Sequence, residues 1–212
     1  VGADRNKAQV YRSITIPYAL EQCEETGRIR NFEEAAGVLK GTQERGSFCS
    51  RYPFDDSDLY KIMEGASYAL IIKRDPVLEA RVDELIAKIA AAQEDDGYLY
   101  TARTVNAEEP HPWIKNERWS NLYMAHELYN AGHMYEAAVA HFMATGKRSF
   151  LNIAVKNADL VEQVFGPGKK VGVPGHQEIE IGLVKLFRVT GNQKYLDLAR
   201  FFLEQRGRPE GR

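Results

Sequence analysis

Cysteine is scarce in this chain. Cys23 and Cys49 are the two in 212 residues, and they stand in neither a C-x-x-C nor another metal-ligand spacing, which argues against a disulfide scaffold or a zinc knuckle. Charge of one sign is lacking too: the net charge of −2 offers no basic field, so no nucleic-acid partner is expected. No apolar run approaches the roughly 18 residues that crossing a bilayer requires, so no membrane association is expected either. The opening VGADRNKAQVYR lacks the charged-then-apolar order of an export signal. That leans towards a cytoplasmic protein, while a start without Met leaves export open. Period-two strand patterning is missing throughout, with Tyr98 to Val105 as the single short stretch that could run extended.

What remains is helical. The composition, 44% hydrophobic and 27% charged, is that of a globular chain able to bury a real core. Residues 8 to 26 read as a first helix with a kink or a late start at Pro17. Phe32 to Leu39 is a short amphipathic piece, and GTQERGS after it is a loop. Asp55-Asp56-Ser57-Asp58 reads as an N-cap cluster opening a helix from Leu59 to Ile72. Arg74-Asp75-Pro76 turns the chain into a second helix, Val77 to Gln93, closing one helical hairpin. Residues 94 to 118 form a long loop whose aromatic and proline content (Pro110, Pro112, Trp113) argues for order.

Two further hairpins resemble each other. One turns at Ala144-Thr145-Gly146 and the other at Val189-Thr190-Gly191, with the glycines 45 residues apart and suited to left-handed C-caps. Repeated helical hairpins build either an open solenoid or a closed toroid. The nearly all-apolar helix after His176, followed by one whose apolar positions alternate with Asp197, Arg200 and Glu204, suits the inner and outer layers of a toroid.

Four of the five histidines lie between His126 and Gly191. His126, Asn130 and His133 fall at i, i+4 and i+7, on one helix face. Asn130 stands where H-E-x-x-H needs its second histidine, which removes the zinc-protease reading. His111 and His141 read as ordinary hydrogen-bonded histidines. His176, after Pro174-Gly175, is placed in the first turn of the next helix, where free amides and a positive dipole welcome a hydroxyl or carboxylate. Glu178 and Glu180 suit the same dipole. Asp95-Asp96-Gly97-Tyr98 makes a turn that places Tyr98 for stacking or hydrogen bonding with a sugar, or simply caps a helix. Trp113 and Trp119 read as aromatic platforms or as loop anchors.

Four motifs in order carry a resemblance: DSDLYKIME at 56–64, AAAQEDDGYL at 90–99, HELYNAGH at 126–133 and PGHQEIE at 174–180. From about Ile14 to Gly207 the chain resembles the N-terminal half of the catalytic domain of glycoside hydrolase family 127, the β-L-arabinofuranosidase family. The resemblance implies an all-α fold, part of an (α/α)6 toroid, with the rest of that domain and β-rich domains outside residues 1–212. It implies a carbohydrate partner of the arabinofuranoside type and retaining hydrolysis of terminal units. His126 and His176 match the family's sugar-binding histidines, with Asp58, Tyr98 and Glu178 as their neighbours. The family's nucleophilic cysteine, its zinc in a Glu-Cys-Cys cluster and its acid/base glutamate would all come from beyond residue 212. No catalytic group, metal ligand or cofactor is therefore expected within this chain, and zinc is expected in the full-length parent. Read this way the chain is a fragment, inactive by itself, whose exposed inner faces invite association, for instance as a homodimer. A toroid alone also fits a sugar epimerase, an unsaturated-uronide hydrolase or a non-catalytic carbohydrate-binding scaffold, because fold does not dictate function.

Overall fold

The computed structural model describes residues 7, 9–46, 48–106, 111–115 and 117–208. Pro110, the expected helix start at Ala8 and the tail from Pro209 lie outside these residues. A π-helical turn, Tyr11–Thr15, leads into α1, Ile16–Glu25. Pro17 sits in the first turn of α1, so regular helix begins late, where the missing N–H costs nothing. There follow α2, Arg28–Lys40; α3, Asp56–Ile72; α4, Pro76–Ala91; α5, Thr101–Val105; α6, Glu127–Thr145; α7, Ser149–Val164; α8, Ile179–Thr190; and α9, Gln193–Gln205. The possible extended piece at Tyr98 to Val105 is instead helical over its greater part. Among the described residues the sheet-like pairing is limited to an isolated bridge between Phe165 and Lys170.

The helices form two layers. α1, α3, α6 and α8 pack side by side in chain order as an inner layer, and α2, α4, α7 and α9 contact one another outside it. Phe32, Tyr60, Tyr135, Phe150 and Phe202 are wholly buried in this core, each worth about 1.5–3 kcal/mol of apolar transfer. The fold is thus all-α and built of repeated hairpins, the arrangement of an (α/α) toroid.

The two Thr-Gly turns match atom for atom. Thr145 Oγ1 donates to the His141 carbonyl and Thr190 Oγ1 to that of Leu186, each at 2.8 Å. Each hydroxyl also accepts the amide two residues on, from Lys147 and Asn192. Gly146 and Gly191 then take φ of 73° and 69°. At the α3–α4 turn the work falls to Asp75, whose carboxylate accepts from the amides of Val77 and Leu78.

The acidic cluster before α3 departs from the capping expectation. Asp55, the N-cap residue, has helical φ and ψ, and its side chain makes no cap bond. Its carboxylate accepts from the Tyr52 amide and pairs with Arg28. Asp56 is buried and takes the Thr101 amide at 2.9 Å and its hydroxyl at 2.5 Å. Asp58 also pairs with Arg28, at 2.7 Å. Tertiary partners outbid the local amides, because a buried carboxylate is stabilised by several strong donors rather than by one.

Such a repeat has one consequence for function. Each inner helix starts where an outer helix and its connecting loop return, so the starts of α3, α6 and α8 lie at one rim. Asp58, His126 and His176 are at or beside those three starts.

Candidate functional site

The rim is assembled from loops with little regular structure. Trp119 and His126 are non-glycine residues held at φ of 63° and 62°, a left-handed conformation that costs energy. Glu127, the first residue of α6, is buried and stabilises this segment: its carboxylate accepts from the Trp119 amide at 2.9 Å and from the Tyr98 hydroxyl at 2.6 Å. Burial pushes the Glu127 carboxyl up to about 7, against the pull of those two bonds. Tyr98 is therefore fully buried behind the rim, with Arg118 over its ring at 4.0 Å, and does not present a stacking face. Trp119 is buried edge-on to Tyr98 and Phe165, a loop anchor.

The left-handed backbone at His126 corrects a second expectation. His126 lies outside the helix that begins at Glu127, so it does not share a regular helix face with Asn130 and His133. His176 likewise precedes its helix: Glu178 is the N-cap of α8, and His176 lies in a bend before it. Both shifts bring the rings together. Their centroids are 5.1 Å apart, and Tyr129 lies 5.6 Å from one and 5.2 Å from the other. His126 Nδ1 is 2.6 Å from the Met124 carbonyl, a bond that requires the proton on Nδ1 and leaves Nε2 as an acceptor. Burial, and then the neighbouring His176, lower the His126 pKa despite that bond, so the ring is neutral at pH 7.

Close backbone approach makes the pairing possible. A Cβ on Gly175 would lie 2.5 Å from the Tyr123 carbonyl oxygen, and one on Gly132 would lie 2.6 Å from the Glu178 carbonyl carbon. Only glycine lets the 174–178 bend rest on the 122–123 loop and on α6.

Near the pair lies a half-buried charged cluster. Glu178 and Glu136 bring carboxylate oxygens within 4.8 Å of each other. Burial, then its contact with Glu136 and the Glu136 charge, push Glu178 up to about 8. Glu136 is held down by Glu178 and by Lys185, which outweigh its burial. Lys185 also pairs with Glu64 at 2.9 Å. His133 Nδ1 is 3.1 Å from Glu178 Oε1 without hydrogen-bond alignment, and burial with the Lys61 charge lowers its pKa to about 4. Asp58 joins at the edge through Lys61, whose ammonium is 4.9 Å from the Tyr129 ring centre.

Of the five expected residues, then, His126 and His176 adjoin, Glu178 lies against His133, Asp58 borders the cluster and Tyr98 stands behind it. Sequence reasoning passed over Tyr129, Phe54, Glu127 and Lys185. Tyr129 and Glu127 sat inside the HELYN motif. Phe54 precedes DSD without periodicity to mark it, and its ring lies 4.7 Å from that of His126. A cavity of about 900 Å³ lies to one side, between the 119–123 loop and the 170–175 strap, and does not include the two histidines.

Neither cysteine suits a zinc thiolate cluster. Cys23 is buried, and burial with the charge of Asp58 raises its thiol to about 11; burial also raises Cys49. Among the described residues the converging donors are His133, Glu136 and Glu178, within 4.8 Å of one another. Lys185 already pairs with Glu136 in that set. With neither cysteine among them, these residues do not fit the Glu-Cys-Cys zinc group that the resemblance implies.

Two layers of repeated helical hairpins, with a histidine pair at the rim where the inner helices start, define the (α/α) toroid class of fold. Within it, residues 4–211 match the catalytic domain of β-L-arabinofuranosidase, glycoside hydrolase family 127, and the chain belongs to that family. Over 156 residues it is 42% identical to a non-reducing end β-L-arabinofuranosidase of Bifidobacterium longum subsp. longum, covering 73% of this chain and 23% of that protein. A solved family 127 β-arabinofuranosidase superposes with a TM-score of 0.87 at 49% identity, covering 95% of this chain and 31% of the other. A second, the family 127 β-L-arabinofuranosidase of Geobacillus stearothermophilus T6, gives 0.86 at 42%, covering 98% and 32%. The chain therefore spans about a third or less of the length of these relatives.

Proposed function

We propose that the protein carrying this chain hydrolyses terminal β-L-arabinofuranosides, and that this chain supplies the part of the site that grips the terminal sugar. The observation that carries the reading is the His126–His176 pair, 5.1 Å apart, with His126 locked as an Nε2 acceptor. A neutral acceptor suits a sugar hydroxyl better than a charged donor, because it need not be stripped of strongly held water. The membership in family 127 favours this over the epimerase and uronide-hydrolase readings. Nucleophile, acid/base and the zinc group would come from the two-thirds of the family length that this chain does not cover. The chain alone would then bind sugar without cleaving it.

Titration calorimetry of the chain with L-arabinose tests this. Binding that falls at least tenfold in His126→Ala and in His176→Ala, each with unchanged circular dichroism, is the expected result. Binding that survives both substitutions would place the sugar elsewhere and defeat the reading.

A further inference from the structure

Beside the histidine pair is a group of rings that sugar gripping does not use. Tyr52 and Phe54, from the loop before α3, and Trp113, from the loop before α6, are nearly parallel. The interplanar angles are 8° for Tyr52–Phe54, 14° for Tyr52–Trp113 and 6° for Phe54–Trp113, with centroids 5.4, 6.2 and 6.3 Å apart. Three rings from two distant segments do not align by chance of local sequence. Something fixes them: the Trp113 amide donates to His111 Nδ1, its carbonyl accepts from Asn121 Nδ2 at 2.7 Å, and the His111 ring meets the indole edge-on.

The trio is only partly covered. Tyr52 is 36% exposed and Trp113 half-buried, whereas Trp119, the other tryptophan, is 6% exposed. Phe54 joins the trio to the His126 ring at 4.7 Å, so the aromatic surface is continuous with the proposed sugar grip. Exposed parallel rings leading away from a hydroxyl-binding pair suit the C–H face of a further sugar ring, which is apolar and flat enough to stack. A non-reducing-end enzyme, as one relative is described, must leave room for the remainder of the glycan next to the terminal unit.

We infer that Tyr52, Phe54 and Trp113 form a second carbohydrate subsite, holding the sugar that adjoins the terminal arabinofuranose on its reducing side. The inference rests on the function proposed above. The half-buried His133–Glu136–Glu178 set is a poorer candidate site, since Lys185 already pairs with Glu136 there.

Calorimetry of this chain with L-arabinose and with a β-L-arabinofuranosyl disaccharide tests it. The parent is expected to bind the disaccharide more tightly. Trp113→Ala and Tyr52→Ala should each weaken the disaccharide roughly three- to tenfold, the range of an aromatic stacking contact, and leave L-arabinose within twofold. Trp113→Phe should restore most of the loss. The bonds that anchor Trp113 are from its backbone, so the loop survives each substitution, and thermal unfolding verifies this. L-Arabinose binding with no gain for the disaccharide, or equal losses for both sugars, overturns the subsite alone. Failure of both sugars to bind the parent overturns it together with the proposed function.

Discussion

Glu127 shows how much rests on a single side chain. Its carboxylate holds the amide of a left-handed tryptophan and the hydroxyl of a fully buried tyrosine, one residue after His126. Removing it strands two buried donors, each costing about 1–3 kcal/mol. Glu127→Ala is therefore expected to lose roughly 2–4 kcal/mol in urea unfolding, the lower part of the range if water enters. Sugar affinity should fall in the same variant, because Trp119 and His126 relax together. The corresponding loss in Tyr98→Phe should be smaller, since one donor and one acceptor are released and Trp119 keeps its partner. Equal losses in the two variants would show that Glu127 acts through Tyr98 alone.

Among the helices, the α6–α8 crossing decides whether the histidines meet. A Cβ on Gly182 would lie 2.7 Å from the Gly132 carbonyl oxygen, and one on Gly132 would press on the Glu178 backbone. Backbone cannot swing aside as a side chain end can. Gly132→Ala is expected to cost about 1–3 kcal/mol, the range of an overpacked core. Gly65→Ala is the contrasting case: the residue lies within α3 and a Cβ there meets nothing within 4 Å. That substitution should add about 0.5–1 kcal/mol, through helix propensity and a less disordered unfolded chain. Denaturant midpoints of the pair, measured side by side, check both signs. A destabilised Gly65→Ala would mean that α3 is more tightly covered than its free space implies.

For the molecule as a whole, buried acids shape the dependence of stability on pH. Asp56 and Glu127 are pushed up to about 7 and Glu178 to about 8, in each case chiefly by burial. A carboxyl whose folded pKa exceeds its unfolded value near 4 stabilises the fold fully below that unfolded value. The contribution is lost as pH rises through the folded pKa, because the unfolded chain has already released the proton. His133 acts in the opposite sense: lowered to about 4 in the fold, it costs stability as pH falls below 6.5. Between pH 4.5 and 6.5 the two effects oppose each other, and above 6.5 only the acids remain. Stability is therefore expected to decline from pH 6.5 to 8 at low salt, and the decline should be shallower in Glu178→Gln. A flat profile over that interval would show that these acids are ionised in the fold.

The sequence by itself determined the longer helices, their pairing into hairpins, the duplicated Thr-Gly turns and the family, but not the short helix Thr101–Val105. Those follow from apolar spacing, proline and glycine placement, and motif order, all of which act within a few residues. It also singled out His126 and His176. The tertiary structure decided the remainder. Asp56, read as one of the caps, is drawn instead to Thr101 across the fold, and Tyr98, read as stacking on or hydrogen-bonding a sugar or as part of a helix cap, is buried to hold Glu127. His126 leaves its expected helix for a left-handed turn, and three aromatic rings from two loops come parallel at its side. Local spacing cannot specify such matters, because a buried polar group is stabilised by whichever partners the packed chain brings to it, and those partners lie tens of residues away.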